Sequence, residues 1–154
     1  MPNGSVVEFD TVHADGQEFA EVIGLTPENE VVIARQFRAG PEKVMDELPG
    51  GFVDNDETPE QAARREFLEE TGYKAGRMQY LGGFHKDTYM NSIWHVFLAY
   101  DCEKVANQEP DDEEDIEIDL ISISMLFDNA RSDKMTDHAA VLMAYDQLKQ
   151  QTNI

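Results

Sequence analysis

Residues 51–73 read GFVDNDETPEQAARREFLEETGY, and the organisation of the chain is worked outward from them. Thr58-Pro59, with Gln61 three residues after the threonine, carries the marks of a helix start: an N-cap hydroxyl, a proline at the first helical position and a capping-box partner. Gly72 supplies the left-handed residue on which helices commonly end. The spacing therefore predicts a helix over Pro59 to Thr71. On it Glu66, Glu69 and Glu70 stand at i, i+3 and i+4, which puts them on one face.

Carboxylates held that close repel one another, at a cost of a few tenths of a kcal/mol per exposed pair. A divalent cation removes the cost and gives the arrangement a purpose. Carboxylate oxygens are hard donors suited to Mg²⁺ or Mn²⁺. Arg65 lies four residues before Glu69 and can brace it, and Glu57, just ahead of the helix, can reach the same region. Gly50 and Gly51 permit positive φ and close approach of the backbone to a ligand, which makes the Gly50 carbonyl a further candidate metal ligand.

Around this centre the pattern is one of mixed strands and helices. Strands are expected at Val6–Phe9, Glu18–Ile23, Glu30–Phe37, Val44–Leu48, Met78–Phe84, Ile93–Tyr100 and Ile116–Ile123. Gly24 and Thr26-Pro27-Glu28-Asn29 mark a turn between the second and third of these. The run Trp94, Val96, Phe97, Leu98 reads as a strand buried on both faces, and His95 within it as a satisfied core histidine. His138 reads as a surface residue. Asn107–Asp115 is a polar, acidic loop. A short helix is expected over Ser124–Ala130. A longer one is expected over Thr136–Gln150, with Ala139, Leu142, Met143 and Leu148 available for packing. Strands mixed with a few helices, in no regular alternation, predict an α/β (α+β) sandwich on a mixed β-sheet. The length of 154 residues fits a single domain over 1–154.

A net charge of −20 argues against a nucleic-acid partner, because phosphate-backbone binding rests on Lys and Arg. It also means that a phosphate-bearing substrate would need a bound metal or a local arginine patch to offset repulsion. The single cysteine, Cys102, excludes an intrachain disulfide and suits a reducing, cytoplasmic setting. Met1–Asp10 shows no basic segment followed by a long apolar run, so no signal peptide is expected. No stretch approaches the roughly 20 apolar residues of a membrane span.

Gly51, five residues, Glu57, seven residues, then Arg65-Glu66-Phe67-Leu68-Glu69-Glu70-Thr71-Gly72-Tyr73 resembles the Nudix box at every fixed position. Phe67 and Tyr73 are aromatic where aliphatic residues are commoner. Arg35-Gln36-Phe37-Arg38 and Glu47-Leu48-Pro49-Gly50-Gly51 are similar to the ADP-ribose and nucleotide-sugar pyrophosphatase branch, which extends the resemblance from about Val6 to Leu148.

The resemblance implies a Nudix-type α/β/α sandwich. It also implies Mg²⁺-dependent hydrolysis, with Mn²⁺ as a possible substitute, of a nucleoside diphosphate linked to a group X. Glu66, Glu69 and Glu70 would be catalytic and metal-binding, with Glu57 and the Gly50 carbonyl as further metal candidates. Gly51, Arg65 and Gly72 would shape the motif. Arg38 would hold a substrate phosphate through its guanidinium fork. Arg35, Glu47, His85 and Tyr89 complete the substrate-binding candidates. A catalytic acid is expected in the loop Asp111-Asp112-Glu113-Glu114-Asp115, with Glu114 the first candidate and Glu113 the second.

In place of the branch's usual Ser-Pro-Gly turn this chain has His85-Lys86-Asp87-Thr88-Tyr89-Met90-Asn91-Ser92. A tyrosine there is similar to dinucleoside polyphosphate hydrolases, where it could stack on a base. X therefore stays open. A dinucleoside polyphosphate or nucleoside triphosphate hydrolase, or a nucleotide-sensing domain without turnover, are the alternatives. The resemblance also implies a homodimer.

Overall fold

The structure is a computed structural model that describes residues 17–109 and 115–152. Its elements in chain order are β1 (Glu18–Leu25), β2 (Glu30–Arg38), β3 (Lys43–Glu47), β4 (Gly50–Phe52), α1 (Pro59–Thr71), β5 (Tyr73–Lys74), β6 (Arg77–Phe84), β7 (Ile93–Tyr100), β8 (Glu103–Lys104), β9 (Glu117–Ser122), α2 (Ile123–Ala130), α3 (His138–Met143) and α4 (Tyr145–Gln151). The expected strand at Val6–Phe9 and the loop acids Glu113 and Glu114 lie outside the described residues.

Seven strands form one mixed sheet along the path β3-β2-β1-β7-β6, with β4 also paired to β1 and β9 to β2. β1 and β7 run parallel, with Glu18 opposite Ile93 and Gly24 opposite Ala99. The other pairings in this sheet are antiparallel. Strand alternation then divides the core. Ala20, Val22 and Val32 face one way and meet Ala62, Ala63 and Phe67 of α1. Ile23, Leu25, Val31 and Ile33 face the other way and meet Leu126, Ala140, Val141 and Leu148 of α2, α3 and α4. A sheet with helices on both faces is the expected α/β/α sandwich.

β1 has two different partners on its one side. Phe19, Ala20 and Glu21 pair with Phe52, Gly51 and Gly50 of β4. Gly24 and Leu25 pair with Val32 and Val31 of β2. Between them the Val22 amide donates to the Pro49 carbonyl at 2.9 Å. The sheet thus forks beside Glu21, and the fork is where the cleft opens.

The helix after Thr136 departs from expectation. It is two pieces that meet at Ala144, which is the C-cap of α3 and the N-cap position of α4. Ala144 is fully buried against the sheet, so the bend keeps both pieces packed on a twisted surface. Leu142, expected to pack, is 75% exposed. Two short pairings were also not anticipated: β4, and the separate ladder of β5 with β8. No described helix is long and apolar enough to cross a membrane.

Candidate active site

α1 forms where the local signals place it. Thr58 Oγ1 accepts from the Gln61 amide at 3.3 Å, and Gln61 Oε1 accepts from the Thr58 amide at 2.8 Å. The end is set by Gly72 at φ 71°, where any Cβ would strike the Ala106 carbonyl. Phe67 is fully buried and anchors the helix, a contribution of about 1.5–3 kcal/mol.

Glu70 is three residues beyond Phe67, so it shares the edge of that buried stripe and is itself buried. Its Oε2 accepts from the Gly50 amide at 2.9 Å. Glu66 lies over Gly51, and a Cβ on Gly51 would sit 2.5 Å from Glu66 Oε1. Glu69, with its side chain 46% exposed, faces outward. The three carboxylates share one face but are graded in burial.

Arg65 ties this face together. Its Nε and Nη2 donate to the two oxygens of Glu57, each at 2.9 Å. Nη1 donates to Glu66 at 2.7 Å and Glu69 at 3.2 Å, and Nη2 also reaches the Phe52 carbonyl. Hydrogen bonding to Glu57, opposed by partial burial and reinforced by Glu66 and Glu69, raises the Arg65 pKa. The same pairing holds the Glu57 carboxyl below the usual glutamate range. Glu57 is thus brought to the site as the partner of Arg65.

Gly50 and Gly51 serve by smallness. The positive-φ glycines among the described residues are Gly72 and Gly82, so the expected left-handed freedom at Gly50 and Gly51 is not used. A Cβ on Gly50 would sit 2.7 Å from Glu21 Cα, too close for a real side chain. Only glycine lets β4 lie this near β1 and the helix carboxylates.

A cleft of about 570 Å³ opens here, a size usual for a small-molecule site. Arg38, Glu47, Gly50, Gly51 and Glu70 line it, together with Glu21, Phe52, Lys86, Trp94 and Asp137. Glu47 grips Arg38 through two hydrogen bonds, Nε to Oε1 at 2.7 Å and Nη2 to Oε2 at 2.5 Å. That fork fixes the guanidinium plane at the cleft wall.

Arg35 is on the other face of β2 and does not line the cleft. It pairs with Asp46 at 2.7 Å and Asp119 at 3.0 Å, and Asp46 in turn accepts from Asn129 of α2. His85 bonds the Ser92 carbonyl through Nδ1 and borders a separate hollow with Lys86 and Asp87. Tyr89 is 59% exposed and is not part of the cleft wall. His95 has both ring nitrogens engaged, by Tyr80 and Glu18, and His138 is exposed.

Glu21 was not anticipated. It is buried, and desolvation, with Asp137 adding to it and Lys86 opposing, pushes its carboxyl up to about 8. The signal was present as a lone acid inside Phe19-Ala20-Glu21-Val22-Ile23. A buried acid in an apolar strand is costly unless it is paired, hydrogen-bonded or neutralised, which marks the position as unusual.

The donor chemistry of α1 fits a divalent cation, since Glu66, Glu69 and Glu70 offer hard oxygens and the cradle at Gly51 is space that a Cβ would fill. Among the described residues no three acids or histidines converge as a finished cage.

The NUDIX domain family model matches residues 20–145, and the chain belongs to that family. It is 32% identical over 126 residues to the methanol dehydrogenase activator of Bacillus methanolicus, covering 81% of this chain and 66% of that one. It is 29% identical over 153 residues to the ADP-ribose pyrophosphatase of Bacillus subtilis, covering 97% and 82%. It is 31% identical over 122 residues to the GDP-mannose pyrophosphatase of Salmonella arizonae, covering 73% and 63%. The chain thus spans just under two thirds of the first and third of these relatives. A solved structure described as an ADP compounds hydrolase superposes with a TM-score of 0.80 at 19% identity, over 99% of this chain and 83% of that one, which speaks for the fold.

Proposed function

We propose that the chain is a Mg²⁺-dependent hydrolase of the pyrophosphate bond in a nucleoside diphosphate linked to X, with ADP-ribose or a nucleotide sugar as substrate and a nucleoside monophosphate as product. The observation that carries this reading is that Glu70 of the box helix and the Glu47-gripped Arg38 line one cleft. Arg38 would bind and orient a phosphate, its guanidinium held in place by Glu47. Glu66, Glu69 and Glu70 would hold the metal, with the Gly50 carbonyl and Glu57 as further candidates. Mg²⁺, or Mn²⁺ in its place, supplies charge neutralisation and a more acidic bound water when present.

The proton-accepting role is assigned to Glu114, or to Glu113, on the sequence reading. Support for a loop acid is limited to its sequence neighbour: the Glu109 amide donates to the Glu69 carbonyl, which holds residue 109 beside the box helix. The family and two of the relatives' names support the reaction class. Incubation with Mg²⁺ and a panel of ADP-ribose, nucleotide sugars, dinucleoside polyphosphates and nucleoside triphosphates tests the reading, with monophosphate release as the readout. Absence of turnover with every compound, in Mn²⁺ as well, sinks it. Tight nucleotide binding in that case would favour the sensing domain.

A cytoplasmic homodimer completes the proposal. Phe37 and Val44 are paired across β2 and the edge strand β3, and both are more than half exposed, an apolar surface of the kind a second copy covers. A sedimentation mass equal to one chain removes the dimer.

A further inference from the structure

Two buried side-chain atoms at the cleft have no hydrogen-bond partner among the described residues, Glu21 Oε1 and Trp94 Nε1. Both residues line the cleft. They belong to the adjacent parallel strands β1 and β7, where Phe19 is opposite Trp94 and Glu21 opposite Val96. By strand alternation Glu21 and Trp94 point to the same face of the sheet. One is an acceptor and the other can only donate. Buried groups of this kind are normally satisfied, so a pair of orphans on one cavity wall marks a place where a ligand completes the bonding.

The surroundings narrow what that ligand is. The Trp94 ring is stacked on Phe19 with centroids 4.4 Å apart and planes 9° apart. The Lys86 ammonium stands 3.8 Å from the Trp94 centroid. With the ring so packed, its edge remains for hydrogen bonding and no face is open to stack a base. Asp137, whose charge acts on Glu21, is committed to the Leu48 amide at 3.0 Å and to Lys86 at 3.5 Å. A hydroxyl can accept from the indole N–H while a neighbouring hydroxyl donates to the carboxyl oxygen.

We propose that Glu21 and Trp94 are specificity residues that hold hydroxyls of a sugar in the X position of the substrate. This rests on the reading of the cleft as a nucleoside diphosphate–X hydrolase site. It goes further in naming the residues that recognise the sugar.

The test compares ADP-ribose and GDP-mannose with the methyl ester of ADP, which keeps the pyrophosphate and has no hydroxyl in X. Wild type, Trp94→Phe and Glu21→Gln are measured on each. Trp94→Phe keeps the stack on Phe19 and removes only the donor. Glu21→Gln keeps the volume, and a thermal melt confirms that each variant is folded. The wild type should prefer a sugar ester over the methyl ester in kcat/KM. Each variant should raise KM for the sugar substrate about tenfold more than for the methyl ester, with kcat changed much less. Equal losses on both substrates, or no preference in the wild type, overturn the assignment and leave the hydrolase reading standing. No turnover of any ester by the wild type overturns both.

Discussion

Gly51 of β4 lies directly against the Glu66 carboxylate of α1, at a distance that leaves no space for a methyl group. The atoms in the way are the tip of a flexible side chain, so Gly51→Ala can be accommodated if Glu66 swings aside. The fold should survive with a melting temperature within a few degrees of wild type. The carboxylate, though, would leave its place beside the cleft. Turnover should fall by about tenfold or more, since misplacement by about 1 Å is costly at a reacting site. A variant of unchanged activity would show that Glu66 need not stay where it is.

Arg65 contacts Glu57, Glu66, Glu69 and the Phe52 carbonyl with one planar group. Lysine carries the charge without the fork. Arg65→Lys should therefore cost about 1 kcal/mol of stability, a modest figure because these side chains are partly exposed. The midpoint of urea unfolding measures it. Activity should drop further than the stability loss explains, since Glu66 and Glu69 lose their common brace.

What the sequence disclosed follows the range of the forces involved. α1 was legible to the residue because Thr58, Gln61 and Gly72 act on backbone groups within a turn of themselves. The break at Ala144 was not legible, as no glycine or proline marks it and the packing of Ala144 on the sheet decides it. β4 is three residues with two glycines, and it exists only because β1 is beside it. The box carboxylates and Arg38 were found from spacing and resemblance. Glu21 and Trp94 were passed over, because each sits in a strand whose apolar neighbours dominate the pattern, and only the pairing of β1 with β7 sets them together on a cavity wall. Arg35 was grouped with Arg38 through the resemblance carried by Arg35-Gln36-Phe37-Arg38, yet a separation of three along a strand sends the two to opposite faces.

Cys102 is buried next to α1, and desolvation pushes its thiol from the usual range to about 12, although backbone hydrogen bonds from Leu25 and Gly76 oppose the shift. The thiolate is the nucleophile, so the native protein should resist iodoacetamide at pH 9 while the urea-unfolded chain reacts rapidly. The folded state retains a proton that the unfolded chain releases above about pH 9. Stability from this group is thus complete below that point and is lost as pH rises toward 12. Mass spectrometry of alkylated protein across pH checks the first part. Native labelling as fast as unfolded labelling at pH 9 would contradict the burial.

Glu70 and Glu69 differ in what they do for the fold, and that difference can be measured. Glu70 is buried and accepts the Gly50 amide, while Glu69 is half exposed and is held by Arg65 at 3.2 Å. Glutamine at position 70 can still accept from Gly50 through its carbonyl, so Glu70→Gln should fold with nearly wild-type stability. It loses a charged oxygen donor, and removing a direct metal ligand should cost at least the roughly 10- to 100-fold that outer-shell partners cost. Raising Mg²⁺ should restore part of the rate if the defect is metal affinity. Glu69→Gln should weaken activity less if Glu69 serves mainly beside Arg65, and as much if it is itself a ligand. Turnover against Mg²⁺ concentration for the two variants separates these cases. A Glu70→Gln protein with wild-type kcat at wild-type Mg²⁺ would remove Glu70 from the catalytic assignment.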